Sequence, residues 1–172
     1  VPSGTIPALV HDGFTIGESD AIAEYLNELA PEPAMLPEPI KERAMARALS
    51  RFHDTRIEPL LRAYFGQVAP ANRNADFIAE NAALLQRRFN QLAEIRTPSP
   101  LLTGTDLSLA DCGFAPSFAI IRCLQGLFGF NLILPASIKA YEAALCAHPS
   151  VCDEYAAYAK ALDEWAAAKI AG

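Results

Sequence analysis

Apolar positions along this chain change their period early. Ile6 to Val10 is a short apolar run, and Phe14 and Ile16 flank Thr15 in the two-residue alternation of a strand. Asp12-Gly13 lies between them, a pair that tolerates the positive φ of a primed hairpin turn. The spacing therefore predicts strand, tight turn, strand. Pro7 donates no backbone hydrogen bond and suits a strand's first residue or edge; an X-Pro bond can also be cis, typically in a tight turn. The period then lengthens. Ile22, Tyr25, Leu26 and Leu29 fall at i, i+3, i+4 and i+7, which predicts a helix over Ser19–Leu29. Ser19 is expected as its N-cap, with Glu18 and Asp20 at the positive end of the helix. Three prolines in the eight residues Ala30 to Pro37 stop that helix and predict a stiff linker.

From Glu38 onward the pattern is helical throughout. Pro39 suits a first helical turn. Met45, Leu49, Phe52, Ile57, Leu60 and Tyr64 trace a buried face, and Pro59 is expected to kink this helix near Thr55. Asn72 or Asn74 starts the next helix, whose stripe is Ile78, Ala82, Leu85, Phe89 and Leu92; Thr97-Pro98-Ser99-Pro100 ends it. Ser108 and Asp111 then form a capping box with Asp in the usual Glu position, and Leu107 can staple the turn. Pro116 should bend this helix. Two more helices are expected, Ser137 to Ala147 and Cys152 to Ala168, separated by His148-Pro149. Tyr155, Tyr158, Leu162 and Trp165 give the last one its apolar face.

Composition narrows the function classes. The 172 residues are 52% hydrophobic and 20% charged, enough for a sizeable core. The net charge is −6, and its placement matters: residues 1–36 hold six acids and neither Lys nor Arg. No basic patch is written in the chain, so nucleic-acid or anionic-membrane binding is not expected. The run Phe118 to Leu134 is broken by Arg122, Gln125, Gly126, Gly129 and Asn131 and is not a membrane span. Cys112, Cys123, Cys146 and Cys152 make no C-x-x-C and no zinc spacing, so no metal is expected. Cys112 and Cys123 sit in an apolar helical pattern and are expected as buried free thiols, which suits a reducing cytoplasmic setting.

The pattern Pro2-x-Gly4-x-Ile6-Pro7-Ala8-Leu9, then Asp12-Gly13, then Glu18-Ser19-Asp20-Ala21-Ile22 and Tyr25-Leu26, resembles the second half of the thioredoxin-like domain of cytosolic glutathione transferases. Ser108-Leu109-Ala110-Asp111 resembles the buried capping box that this family carries at its central C-terminal helix, and with Pro116 it is similar to the zeta and related bacterial classes. Arg122 lies one position short of a zeta-class arginine near the substrate pocket, and Glu18 stands where zeta usually has Gln. The resemblance implies an α+β fold: residues 1–29 as part of a thioredoxin-like glutathione-binding domain, 30–37 as linker, and 38–172 as an all-α C-terminal domain. Two short strands and a helix are marginal as a sheet. The resemblance therefore implies a βαβ unit upstream of Val1 that carries the catalytic Tyr, Ser or Cys, and a chain truncated at its N-terminus.

The implied function is transfer of glutathione to a hydrophobic electrophile. Glutathione would lie along Ile6 and Pro7, backbone to backbone, with its γ-glutamyl end on Glu18 and Ser19. The electrophile would sit against the helical part, where His53, Arg56, Tyr64, Ser117 and Phe118 are candidates. Ser108 and Asp111 are expected to be structural. A homodimer is implied as well. Two alternatives stand beside this reading: a glutathione-dependent isomerase, thiol reductase or ether-cleaving enzyme, and a non-catalytic binding module of the stringent-starvation type. One gap is physical. A glutathione carboxylate needs a cation, and residues 1–36 supply none; Thr5 stands where the family often has a polar or basic residue.

Overall fold

The computed structural model describes residue 4 and residues 6–172. Val1, Pro2, Ser3 and Thr5, where the sequence predicts an entry loop, lie outside the described residues. β1 (Ala8–His11) and β2 (Phe14–Gly17) pair antiparallel, with Leu9 opposite Ile16 and His11 opposite Phe14. Asp12 and Gly13 both have positive φ, 48° and 81°, as a primed turn requires. α1 (Ser19–Leu29) follows and covers one face of the hairpin. Tyr25 packs on Phe14, and its hydroxyl lies 2.7 Å from His11 Nδ1. The opposite face stays open: Ile6 and Val10 are exposed, and no residue of α1 is fully buried.

The remainder is helical. α2 (Ile40–Phe52) runs into a π turn (His53–Ile57) and then α3 (Glu58–Ala63). The kink expected from Pro59 is thus a widened turn immediately before it. Pro59 has no N–H to give the Thr55 carbonyl, and the backbone accommodates this by i→i+5 winding. α4 (Ala75–Ile95) is capped by Asn74, whose side chain accepts from Phe77 N at 3.0 Å. α5 (Leu109–Cys112) and α6 (Phe114–Phe128) are the one expected helix, interrupted at Gly113. Pro116 likewise cannot donate to the Cys112 carbonyl, so the bend falls one turn earlier. α7 (Ala136–Cys146) and α8 (Cys152–Ala171) complete the chain.

α6 is the hub, packed against α3, α5, α7 and α8. It buries eight of its fifteen residues, including Phe114, Phe118 and Ile121. Phe114 and Phe118 each meet Tyr141 edge to face, and Tyr64 stacks with Phe128 and with Phe130. A helix that begins inside such a core must satisfy its free N–H groups. Asp111, fully buried, does this: Oδ2 accepts from Ser108 N at 3.0 Å and Ser108 Oγ at 2.8 Å, and Oδ1 accepts from Leu102 N at 3.1 Å. The expected structural box is present and reaches one loop further than the sequence indicates.

Candidate functional site

The N-terminus of α1 departs from expectation in a way that bears on function. Glu18, not Ser19, is the N-cap, and it holds φ 69° and ψ 115° with no side-chain capping bond. Its carbonyl accepts from Ile22 N at 2.9 Å. Ser19 therefore stands at the first helical position with its hydroxyl exposed and, among the described residues, engaged by nothing. The first-turn amides are left for an external acceptor, the arrangement that favours an anion. Positive φ at a non-glycine residue stores strain that the surrounding structure must offset. Ile6, 93% exposed, precedes the strand ladder, and the Ile6-Pro7 bond is cis.

Beneath this corner a cavity of about 610 Å³ separates α1 from α2. Glu18, Asp20 and Glu24 line it from α1; Arg47, Ser50 and Arg51 line it from α2. Glu24 and Arg47 satisfy each other through a two-bonded pair, 2.7 Å and 2.6 Å. That pair holds the Glu24 carboxyl below its ordinary range and raises the arginine. Ser50 Oγ donates to Asp20 at 3.0 Å. Among the described residues Glu18 and Arg51 have no ion pair.

Asp20 belongs to a longer chain of contacts. Burial, then the charge of Asp54, pushes its carboxyl up from 3.8. Asp54 is held down, chiefly by its hydrogen bond to His53. Of this facing acid pair, Asp20 is the one that takes up a proton first. His53 Nδ1 lies 2.8 Å from Asp54 Oδ1, and His53 Nε2 lies 2.7 Å from Ser117 Oγ. With Asp54 ionised, Nδ1 donates to it, and Nε2 meets the serine hydroxyl. The order Ser–His–Asp is that of a hydrolase triad, but Ser117 is 2% exposed and His53 4%, so no substrate carbonyl reaches the hydroxyl. The array is a structural tie that joins α1, the π turn and α6.

The residues expected to meet a hydrophobic co-substrate are not assembled as a pocket. His53, Ser117, Tyr64 and Phe118 are buried in the helical core, and Arg56 is exposed. Tyr64 gives its hydroxyl to the Ile78 carbonyl at 3.2 Å, and burial pushes its phenol up to about 12. Helical periodicity marks a face without saying what the face meets, and here it meets other helices. Arg122 forms a two-bonded pair with Glu142 and serves packing between α6 and α7. Cys112, expected inside, is exposed at the wall of a second cavity of about 350 Å³ between α6 and α8. Its thiol donates to the Ser108 carbonyl at 3.5 Å, and desolvation, followed by the charges of Asp111 and Asp20, pushes it up to about 11. Cys123 is half-buried.

The family described as "Glutathione S-transferase, N-terminal domain" matches residues 1–29. Maleylacetoacetate isomerase of Rattus norvegicus is 36% identical over 121 residues, 69% of this chain and 54% of that protein. A stringent starvation protein A homolog of Pasteurella multocida is 33% identical over 146 residues, 83% of this chain and 63% of that protein. The delta-class glutathione transferase of Nilaparvata lugens superposes with a TM-score of 0.80 at 21% identity, covering 98% of this chain and 77% of that one. Residues 1–29 match the glutathione transferase N-terminal family, and the rest of the chain is similar to proteins of that family. The chain's fold is that family's α+β arrangement, a thioredoxin-like portion followed by an all-helical one. The chain spans between about half and two thirds of the length of the two curated relatives described.

Proposed function

We propose that this chain binds glutathione at the Glu18–Ser19 corner and belongs to an enzyme that transfers the glutathione thiolate to a hydrophobic electrophile. Residues 1–29 form the glutathione side, 30–37 the linker and 38–172 the helical side. The observation that carries the reading is the start of α1: an uncapped, ion-free Glu18 at φ 69°, an exposed Ser19 hydroxyl and open first-turn amides, all above a cavity of mixed charge. Ser19 and the amides suit the α-carboxylate of a γ-glutamyl group, and Glu18 suits its ammonium. Ile6 and Pro7 lie where an extended peptide pairs with backbone. The thiolate is the nucleophile. A cytoplasmic homodimer is part of the same reading.

A glutathione-dependent isomerase is the second reading, favoured by the relatives named maleylacetoacetate isomerase. The experiment is turnover by the full-length gene product with glutathione and two substrates in parallel, an aryl halide and a cis-enone diacid. Glutathione consumed with the halide supports transfer. Isomerisation of the diacid with glutathione recovered unchanged supports the isomerase. Glutathione binding without either turnover supports a binding module, and no binding at all overturns the proposal.

A further inference from the structure

α1 meets α2 through polar ties and not through a shared core. None of its residues is fully buried, and a cavity of about 610 Å³ lies between the two helices. Among the described residues two side-chain ties cross that gap. Arg47 pairs with Glu24, but both side chains are partly exposed, and such pairs contribute little. Ser50 Oγ meets both carboxyl oxygens of Asp20, at 3.0 Å and 3.2 Å. Asp54 stands four residues beyond Ser50, about one turn along the same face, next to the carboxyl that Ser50 holds.

Asp54 is not free to retreat from Asp20. His53 Nδ1 lies 2.8 Å from its Oδ1, and His53 Nε2 lies 2.7 Å from Ser117 Oγ on α6; both His53 and Ser117 are buried. Two adjacent carboxyls share one proton readily and carry two negative charges only at a cost. The surrounding charges leave that cost in place. Arg51 lies beside the pair on α2 and is exposed. Glu18, Glu24 and Arg47 line the cavity, the last two bonded to each other, and Cys112 faces Asp20 from α5. Burial and Asp54 raise Asp20 above 3.8 against the opposing pull of Ser50 and Arg51.

We infer that the Asp20–Asp54 contact is a proton-operated joint between α1 and the helical part of the chain. With one proton between the two carboxyls, Asp20 donates to Asp54 and α1 stays seated on α2. With both ionised, the repulsion is relieved on the side that can move, so α1 spends more time off α2 while the π turn and α6 hold still. The pivot is the linker. Asn27 Oδ1 accepts from Met35 N at 2.7 Å, and Leu109 N donates to the Met35 carbonyl at 2.8 Å, which keeps α1 tethered. The seated state binds the proton more tightly than the opened one. Seating is therefore strongest below the ordinary carboxyl value and weakens as pH rises through the raised one.

The test is amide hydrogen exchange on the full-length gene product and its D20N and D54N variants. The Asp carboxyl carbons are followed by NMR over the same pH range. Protection is taken relative to the unstructured peptide, which removes the intrinsic effect of pH. The amides from Ile22 to Leu29 are expected to be less protected than those of α6. Their protection falls as pH rises through the higher carboxyl step, by about tenfold for each pH unit by which that step lies above 3.8. D20N holds α1 protection level throughout. D54N moves the step back toward 3.8 and shrinks the fall to match. If D54N does not fold without the partner of His53, wild type against D20N decides alone. Protection of α1 that is flat with pH in wild type overturns the inference. So does an equal fall in D20N, which assigns the effect to another group. α1 amides as protected as those of α6 at every pH overturn it too, since α1 then opens only with the whole fold.

Discussion

Gly113 approaches the His53 ring so closely that a Cβ at position 113 would lie 2.5 Å from Nδ1. The glycine is therefore a packing requirement of the buried histidine, and its own φ is an ordinary −74°. The ring is fixed by Asp54 and Ser117 and cannot swing aside without breaking both bonds. G113A is expected to cost about 1–3 kcal/mol by overpacking. Denaturant unfolding measures it; a cost near zero would show that the ring moves freely.

Asp111 is a second point of structural dependence. D111A removes the acceptor for Ser108 N, Ser108 Oγ and Leu102 N, all in the core. Each orphaned donor costs about 1–3 kcal/mol, so the expected loss is about 3 kcal/mol or more. S108A keeps the Asp111 contacts to both backbone amides and should cost only about 1–2 kcal/mol. The predicted order of melting temperatures is wild type, then S108A, then D111A.

The acid pair predicts a pH effect with a definite sign. Asp20 has its folded-state pKa raised above 3.8 by burial and by Asp54. The folded state therefore binds the proton more tightly than the unfolded state, and stability falls as pH rises from the ordinary carboxylate range through the raised value. D20N removes this penalty. Its melting temperature relative to wild type should be higher at neutral pH than at pH 3, which lies below the ordinary value of 3.8, so that the wild-type carboxyl is mostly protonated folded or unfolded. A difference independent of pH would mean that Asp20 titrates normally.

Glu18 sets stability against binding. Its φ of 69° is disfavoured for a side chain and free for glycine. E18G should raise stability by up to about 1 kcal/mol, since it relieves a left-handed position. The same change removes the ammonium's acceptor and should weaken glutathione at least tenfold, as charged hydrogen bonds contribute about 1.5–3 kcal/mol. Thermal melting and calorimetry on one sample read both.

What the sequence disclosed was local. Asp12-Gly13 turns as its chemistry requires, the stripe from Ile22 to Leu29 gives the bounds of α1, and Ser108 with Asp111 closes its box. Where a residue's conformation depends on neighbours beyond one turn, the reading shifts. Ser19 has the chemistry of an N-cap, yet the left-handed Glu18 takes that place and releases the hydroxyl. Pro59 announced a break near Thr55, and the π turn lies there; the break announced by Pro116 falls about a turn before it, at Gly113. The chain from Asp20 through Asp54 and His53 to Ser117 spans 97 positions, and no spacing rule links its members. His53 and Ser117 were singled out by residue type; only the packing shows that they satisfy each other in the core and line no pocket.

The central claim is tested most directly by titrating glutathione into ¹⁵N-labelled full-length protein and following backbone amides by NMR. The account predicts the largest shifts at Glu18, Ser19 and Asp20, and a second group at Ile6 and Ala8. Shifts confined to the α6–α8 cavity around Cys112 and Tyr155, with the start of α1 silent, would contradict it.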